Sequence, residues 1–477
     1  MREEILRLEK ITQITDGITL LDSLNLHIFK NEILGLLCLN DHGKETLIQL
    51  ICRNIPLNFG KVYFLDSLAN SYTRNRITDN SVLVIEKPLR LVDALSVADN
   101  IFILERRNRK VLNEQLKETI KSLDLHINTT DIIANLSSYE KCIVLLMKAY
   151  IMDVKLVILR DISNFLSTVE LRKIHLLLNK LIEKKMTFLY ICNNHEEALK
   201  ICDRVALMEN GRVIKILDKQ NSDDEIMKYY NLNITHSLEN EKTNNKDTKI
   251  VLRFENVFTD NISDLSFTIN KGECVTFLDI NNVALNDIID LLNSSLRLTR
   301  GNIELEGINC KENKKLLKDS IEVLAEYPTQ NMVFTELSYI DNLCFLLDKK
   351  MKGVWSGNKI KKGVMSEYYE YIGDDLFSID IYNLSITSLY NLVYYRIHLL
   401  NPKIVICVQP FSGADMYLRH HIMFLLNKLL EKGITIIILA VNIFDTLSVS
   451  DRLFVLEKGR LKEEFPRKNF HKFRRDN

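Results

Sequence analysis

Hydrophobic and polar positions divide the chain into strands and helices before any residue chemistry is considered. Residues 5–8 and 24–28 alternate apolar and polar side chains, the period of two of a strand with one face in a core. The runs Ile33-Leu34-Gly35-Leu36-Leu37, Leu156-Val157-Ile158-Leu159 and Thr187-Phe188-Leu189-Tyr190-Ile191 are apolar almost throughout, which predicts strands buried on both faces. Gly60 to Asp66 reads as a turn and an edge strand, Ser81 to Ile85 as a further strand, and residues 86–101 as a loop running into a helix. Apolar residues at helical spacing predict helices over 47–51, 111–124, 136–150 and 169–184. Helices alternating with buried strands indicate an α/β fold whose sheet is covered on both sides.

Residues 219–249 interrupt this pattern with Asn, Asp, Lys and Glu and few large apolar side chains, the composition of a linker. Beyond it the first half recurs. Leu95-Ser96-Val97-Ala98-Asp99-Asn100-Ile101 returns 242 residues later, from position 95 to 337, as Leu337-Ser338-Tyr339-Ile340-Asp341-Asn342-Leu343. Asp203-Arg204-Val205-Ala206-Leu207-Met208-Glu209-Asn210-Gly211-Arg212 returns 248 residues later, from 203 to 451, as Asp451-Arg452-Leu453-Phe454-Val455-Leu456-Glu457-Lys458-Gly459-Arg460. Matches at nearly one spacing indicate a tandem duplication. The expected organisation is a first domain over 1–218, a polar linker over 219–249, a second domain over 250–461 and a basic, aromatic tail over 462–477, which is read as solvated. The 477 residues suffice for two cores of roughly 200 residues each.

Composition narrows the function classes. Lysine and arginine equal aspartate and glutamate at 63 each, so no global field draws the protein to nucleic acid, and none is expected as a partner. The nine cysteines show no metal-ligand spacing and sit mostly in apolar segments, as core residues of a reducing compartment do. Without an apolar signal core or a run of 18 uncharged apolar residues, the expected location is cytoplasmic, peripheral at the inner face of the cell membrane if a membrane partner exists. Glycine is scarce, 15 of 477 residues, or about 3% against a usual frequency of roughly 7%. Few loops can therefore approach a phosphate closely.

One stretch carries candidate chemistry. Cys38-Leu39-Asn40-Asp41-His42-Gly43-Lys44-Glu45-Thr46 lies between a predicted strand and a predicted helix, the context of the phosphate-binding pattern G-x-x-x-x-G-K-[ST]. In that pattern backbone N–H groups wrap the phosphates, the lysine reaches their oxygens and the hydroxyl holds Mg²⁺. Gly43 and Lys44 fit; Cys38 and Glu45 do not. Taken alone, the pair is equally the turn that starts a helix.

With the repeat, the chain resembles the tandem ATP-binding subunit of carbohydrate ABC importers over nearly its whole length. The resemblance implies two tandem ABC-type P-loop ATPase-like domains, each a mixed β-sheet core with a helical subdomain. Each half would then carry a P-loop, a glutamine loop, an LSGGQ signature, an acidic Walker B strand end and a switch histidine. In the first half Asn40, Gly43, Lys44 and Thr46 match the family loop, and are the cofactor-binding candidates. The magnesium aspartate of Walker B is replaced by Arg160, and the catalytic glutamate by Asp161, the one catalytic candidate. Asn193 stands at the switch, with His195 two residues late, read first as a solvated helix-start residue. Lys87 stands at the glutamine loop, and no aromatic occurs near Thr15 to stack on adenine. In the second half Asp279-Ile280-Asn281-Asn282-Val283-Ala284-Leu285-Asn286 has no glycine, and Leu285 replaces the lysine. Val408 and Gln409 replace the Walker B acids, while Gly413 and Asp415 still match and Gln330 is a candidate second glutamine loop. Both signatures, Leu136-Ser137-Ser138-Tyr139-Glu140 and Leu384-Ser385-Ile386-Thr387-Ser388, lack their glycines. Tyr390, Tyr394 and Tyr395 lie at helical spacing and are read as packing.

A carboxylate at position 45 about 4 Å from a phosphate oxygen costs on the order of 4 kcal/mol at an effective dielectric near 20, about a thousandfold in affinity. Serine and aspartate flank one magnesium ion in the family, so Glu45 and Arg160 are expected to face each other as an ion pair in the metal's place. ATP is the cofactor the resemblance implies, at the first loop only, held weakly and without dependence on magnesium. None is expected at the second, and no metal ligands are assigned. The leading expectation is an ATPase relative with impaired or absent ATP hydrolysis that serves as scaffold or regulator on permease subunits or an intact related ATPase, with self-association open. The alternatives are a sugar-import ATPase hydrolysing slowly at the first site and a soluble regulator without a membrane partner.

Overall fold

A computed structural model of the chain describes residues 2–69, 81–103, 109–218, 249–293, 295–296, 298–310, 314–347, 357–441 and 446–470. The chain forms two compact units that divide between 241 and 242; the expected linker, up to residue 248, lies outside the described residues.

The first unit begins with the long strands β1 (Glu4–Thr15) and β2 (Ile18–Phe29). On β2, Leu24, Leu26 and Ile28 are buried while the residues between them are not, so one face of the hairpin supplies a core. β3 (Ile33–Cys38), β4 (Phe59–Phe64), β5 (Ser67–Leu68) and β6 (Val82–Ile85) follow. The unit is completed by β7 (Leu156–Arg160), β8 (Phe188–Cys192), β9 (Arg204–Glu209) and β10 (Arg212–Asp218). Two sheets result, an antiparallel one in the order β2-β1-β4-β5 and a six-stranded one in the order β10-β9-β3-β8-β7-β6. In the larger sheet every pairing is parallel except that of β10 with β9.

Every residue of β3 is buried, and its alternation sorts two cores. Leu34, Leu36 and Cys38 pack with Leu8, Leu24 and Leu47 toward the antiparallel sheet, whereas Ile33 and Leu37 join Leu145 and Leu178 toward the helices. The near-continuous apolar run is thus a strand covered on both sides. The helices Val97–Ile101, Arg109–Ser122 and Ser138–Ile151 form the helical part inserted between β6 and β7.

The second unit repeats this plan with β11 (Ile250–Phe258), β12 (Leu265–Asn270), β13 (Cys274–Asp279), β14 (Arg300–Leu305) and β15 (Ile308–Asn309). It ends with β16 (Ile321–Leu324), β17 (Ile404–Val408), β18 (Thr435–Ala440), β19 (Arg452–Glu457) and β20 (Arg460–Pro466). Its sheets run β12-β11-β14-β15 and β16-β17-β18-β13-β19-β20, the first unit's order element for element. Tyr390, Tyr394 and Tyr395 are buried in its helical core. One ion pair recurs in both units: Arg204 reaches Glu32 at 2.7 Å and Arg452 reaches Glu273 at 3.1 Å. In each, the glutamate also accepts a backbone N–H, from Phe29 at 2.8 Å and from Asn270 at 2.9 Å. The pair ties the start of the central strand to its parallel neighbour.

The expected solvated tail begins too early. Residues 462–466 complete β20 against β19, and Arg467–Asn469 form a short 3-10 turn. Phe470 is buried with Leu278, Leu447, Leu453 and Val455, and Phe465 packs against the same cluster. Two aromatics at this spacing bury more apolar area than their basic neighbours can keep in water. Residues 471–477 lie outside the described residues. Among the described residues no helix is long and apolar enough to cross a membrane.

Candidate functional site

β3 delivers the chain into the loop of residues 39–43 and then into the helix Lys44–Ile51. Gly43 turns the chain at φ 79°, and a Cβ there would stand 2.2 Å from the Leu20 carbonyl oxygen. Glycine is required on both counts. Asn40 holds the loop to the β9–β10 turn: its amide donates to Asn210 Oδ1 at 2.8 Å, and its Oδ1 accepts the Asn210 N–H at 3.1 Å. Thr46 is buried in the helix's first turn.

Lys44 is buried, and its ammonium pairs with Asp41 and lies 3.7 Å from Asp161. Burial opposes its charge, but Asp161 and Asp41 outweigh that and hold its pKa above the ordinary lysine value. Arg160, the last residue of β7, reaches Glu45 at 2.5 Å and Glu86 at 3.0 Å, with Asp161 at 3.8 Å. Here too burial is overcome, chiefly by Glu45, and the guanidinium's pKa is raised. Glu45 also accepts from Gln49 at 3.0 Å. The expected Glu45–Arg160 pair is therefore present. The cluster contains three cations, Lys44, Arg160 and the more exposed Arg90, which reaches Glu86 at 3.0 Å, and four carboxylates, Asp41, Glu45, Glu86 and Asp161.

Asp161 sits at φ 48°, where an aspartate is less strained than most residues. Its N–H bonds the Ile191 carbonyl at 2.9 Å. The predicted candidates Gly43, Lys44 and Asp161 thus converge, whereas the Asn40 side chain is engaged in holding the loop. Glu86 is a residue that the sequence reading missed in favour of Lys87. Its signal was the repeat of Glu86-Lys87-Pro88 as Glu326-Tyr327-Pro328 at the ends of equivalent strands. That register also corrects the second glutamine loop: Gln330 lies in the short helix Pro328–Asn331, three residues beyond the counterpart of Lys87.

The remaining motif positions have local structural uses. Asn194 caps the helix His195–Ile201 by accepting the Glu197 N–H at 3.1 Å, and His195 is that helix's first residue, half-buried. Ser137 caps the helix Ser138–Ile151 in a reciprocal box with Glu140. Ser385 caps Ile386–Leu400 by accepting the Ser388 N–H at 3.1 Å. The serines left from both signatures are helix caps.

In the second unit β13 leads to the loop 280–284 and the helix Leu285–Leu292. Asn281 accepts the Lys458 N–H at 2.8 Å, so this loop is held to the β19–β20 turn as Asn40 holds the other. Asp279 stands where the first unit has Cys38. Fully buried, its carboxylate accepts the N–H groups of Asn281, Val283 and Ala284 at 3.2, 2.7 and 2.6 Å. Leu285, at the counterpart of Lys44, is buried. Asp287 is bound by Thr259 and by the Asn261 amide at 3.0 Å. Gln409 keeps the backbone of Asp161, with φ 44° and its N–H on the Leu439 carbonyl at 2.9 Å. Among the described residues no cluster of three or more His, Cys, Asp or Glu has metal-binding geometry.

Comparison with known proteins agrees with the fold. The ABC transporter family model matches residues 21–162. The ribose import ATP-binding protein RbsA of Caldanaerobacter subterraneus subsp. tengcongensis is 23% identical over 482 residues, covering 98% of this chain and 97% of that protein. The galactose/methyl galactoside import ATP-binding protein MglA of Haemophilus influenzae is 23% identical over 476 residues, covering 96% and 93%. Among solved structures, that of archaeal ribosome recycling factor aABCE1 with ribosomal stalk protein aP1 matches with a TM-score of 0.64 at 16% identity, covering 98% of this chain and 92% of that one. That last likeness concerns the fold alone.

Proposed function

We propose that the chain, similar over nearly its whole length to ATP-binding proteins of sugar import, is a tandem ABC ATPase of that kind that does not turn over ATP and acts as a scaffold or regulator. The observation that carries the reading is Arg160 held between Glu45 and Glu86, where the family would have a magnesium ion and its ligands. An Mg-ATP complex needs a hydroxyl and a carboxylate on the metal and unopposed cations on the phosphates. Here each cation already faces a carboxylate and the four carboxylates outnumber the three cations, so a polyanion meets a site without an unmatched cation and with an arginine in the metal's place. The residues do not fit Mg-ATP, and no hydrolytic step is derived through it. The partner that follows is a permease subunit of a sugar importer or an intact ATPase of the same family, with the protein peripheral at the membrane through that contact.

A second reading rests on the convergence of Gly43, Lys44 and Asp161: slow hydrolysis at the first unit, with Asp161 orienting water. Titration of the full chain with Mg-ATP and with ATP in EDTA separates the two. The proposal expects no saturation below millimolar nucleotide and no phosphate release above background. Micromolar binding with turnover abolished by Lys44→Ala would establish the second reading instead. Co-purification with permease subunits tests the membrane partner.

A further inference from the structure

We infer that Asp279 is a built-in anion: its carboxylate occupies the backbone cradle that a phosphate would use in a loop of this kind, so the second unit's loop is closed by its own side chain. Consecutive N–H groups leading into a helix form a concave site for a negative charge, reinforced by the helix dipole. Here the site is filled. Asp279 projects from the last position of β13 and takes the N–H groups of Asn281, Val283 and Ala284, the last of them at the helix N-cap. A carboxyl group with 0% exposure needs hydrogen-bond partners in place of water, and these three N–H groups supply them.

The neighbouring substitutions follow from this. With a negative charge already in the cradle, a lysine reaching toward phosphate has no ligand there, and Leu285 fills the space with apolar contacts to Ile288 and the core around them. The cradle no longer needs glycine either, because it accommodates one carboxylate carbon rather than a phosphate group. The Asn282 φ of 53° is supplied by a residue that tolerates this region. Asp287 in the next turn is drawn off to Thr259 and Asn261, which keeps a second carboxylate out of the same cradle. The inference concerns the second unit alone and stands whether or not the first unit binds nucleotide.

The test compares full-length protein with Asp279→Ala and Asp279→Asn, all on a Lys44→Ala background so that the first loop does not contribute. Thermal unfolding is followed in chloride and in inorganic phosphate at matched ionic strength, with hydrogen exchange at Val283 and Ala284 as the local readout. Asp279→Ala is expected to lower the second unit's Tm by roughly 4–10 °C and to accelerate exchange at both amides. Phosphate should then restore both in a saturable way while leaving the parent unchanged. Should Asp279→Ala fail to fold, Asp279→Asn carries the test: one carbonyl oxygen remains to accept N–H groups, so an intermediate Tm and a smaller phosphate response are expected. Parental Tm and exchange in either variant, or equal stabilisation of parent and variant by phosphate, would overturn the inference.

Discussion

The two loops at 38–46 and 279–287 leave equivalent strands, enter equivalent helices and are held by equivalent asparagines to equivalent turns. They differ in where negative charge sits. In the first, the loop keeps its glycine and its lysine, and the carboxylates of Asp41, Glu45, Glu86 and Asp161 face Lys44 and Arg160 through their side chains. In the second, the carboxylate of Asp279 lies inside it. One loop is neutralised by side chains that could be exchanged without moving the backbone. The other is occupied from within, and its backbone has become part of the carboxylate's coordination. The units therefore differ in how reversible the loss of nucleotide chemistry should be.

The largest expected effect tests that reversibility. Glu45→Ser with Arg160→Asp restores a hydroxyl and a carboxylate to the metal position of the first unit, takes the carboxylate at position 45 away from the phosphates and frees the site of its internal pair. Mg-ATP affinity by calorimetry should rise about a thousandfold, the affinity equivalent of about 4 kcal/mol. The matching change in the second unit, Asn286→Ser with Val408→Asp, should produce no binding, because Asp279 still fills the cradle. Equal gains in both units would remove the distinction between the loops.

Next in size are changes at what the units share. Glu32 and Glu273 are buried, and each faces a partly buried arginine. Removing one partner of such a pair strands the other charge at a cost of about 3–5 kcal/mol. Glu32→Ala should destabilise the first unit by about that much and Glu273→Ala the second by less, because Arg452 keeps Glu464 at 2.8 Å, with no change in nucleotide affinity for either. A loss from Glu273→Ala as large as that from Glu32→Ala would show that Glu464 does not compensate for the missing partner.

How much of this could be read from the sequence follows from the range of each interaction. The buried run of β3 and its echo in β13 state their burial in their own composition, and the repeat of Asp203–Arg212 as Asp451–Arg460 announces two copies of one frame. The pairing of Glu45 with Arg160, 115 positions apart, could be anticipated only because the motif pattern placed both beside one metal. Glu86 belongs to no such pattern in this chain, and its contact with Arg160 across 74 positions needs the fold to become visible. The loop after Asp279 is legible as one without glycine or lysine, but Asp279 is not legible as a ligand of its own loop, since that depends on three N–H directions that residue identity does not reveal. The onset of the tail was misjudged because local composition weighed Lys462 and Arg467 over the burial of Phe470.

A smaller contrast comes from acid. Burial, with Lys200 adding to it, pushes His175 in the first unit down to about 4, and burial with Lys432 and Lys428 does the same to His398 in the second. A histidine at its ordinary 6.5 in the unfolded chain takes up a proton that the folded chain refuses, so stability is full above about 6.5 and falls as the pH drops toward 4. For His175, which is mostly buried and accompanied by the Tyr190 hydroxyl at 3.1 Å, the loss should approach about 2–3 kcal/mol across that window. His398 lies half in solvent and should contribute less. His175→Gln should flatten the first unit's pH dependence between 6.5 and 4, and His398→Gln should change the second unit's only slightly. A second unit as acid-sensitive as the first would reverse the expected order.

The smallest effect separates holding a loop from holding a ligand. Asn40 matches a nucleotide-loop position, yet both of its amide atoms are used on Asn210, and Asn281 makes one of the same bonds to Lys458. These contacts are exposed, where a neutral hydrogen bond contributes about 0.5–1.5 kcal/mol. Asn40→Ala should therefore destabilise the first unit by about 1 kcal/mol and Asn281→Ala the second by somewhat less. Because the loss is one of loop position alone, Asn40→Ala placed on the Glu45→Ser, Arg160→Asp background should weaken the recovered Mg-ATP affinity by less than about tenfold. A loss as large as that caused by Lys44→Ala on the same background would mean that Asn40 contacts the ligand directly, and that its bond to Asn210 is exchanged when the loop is filled.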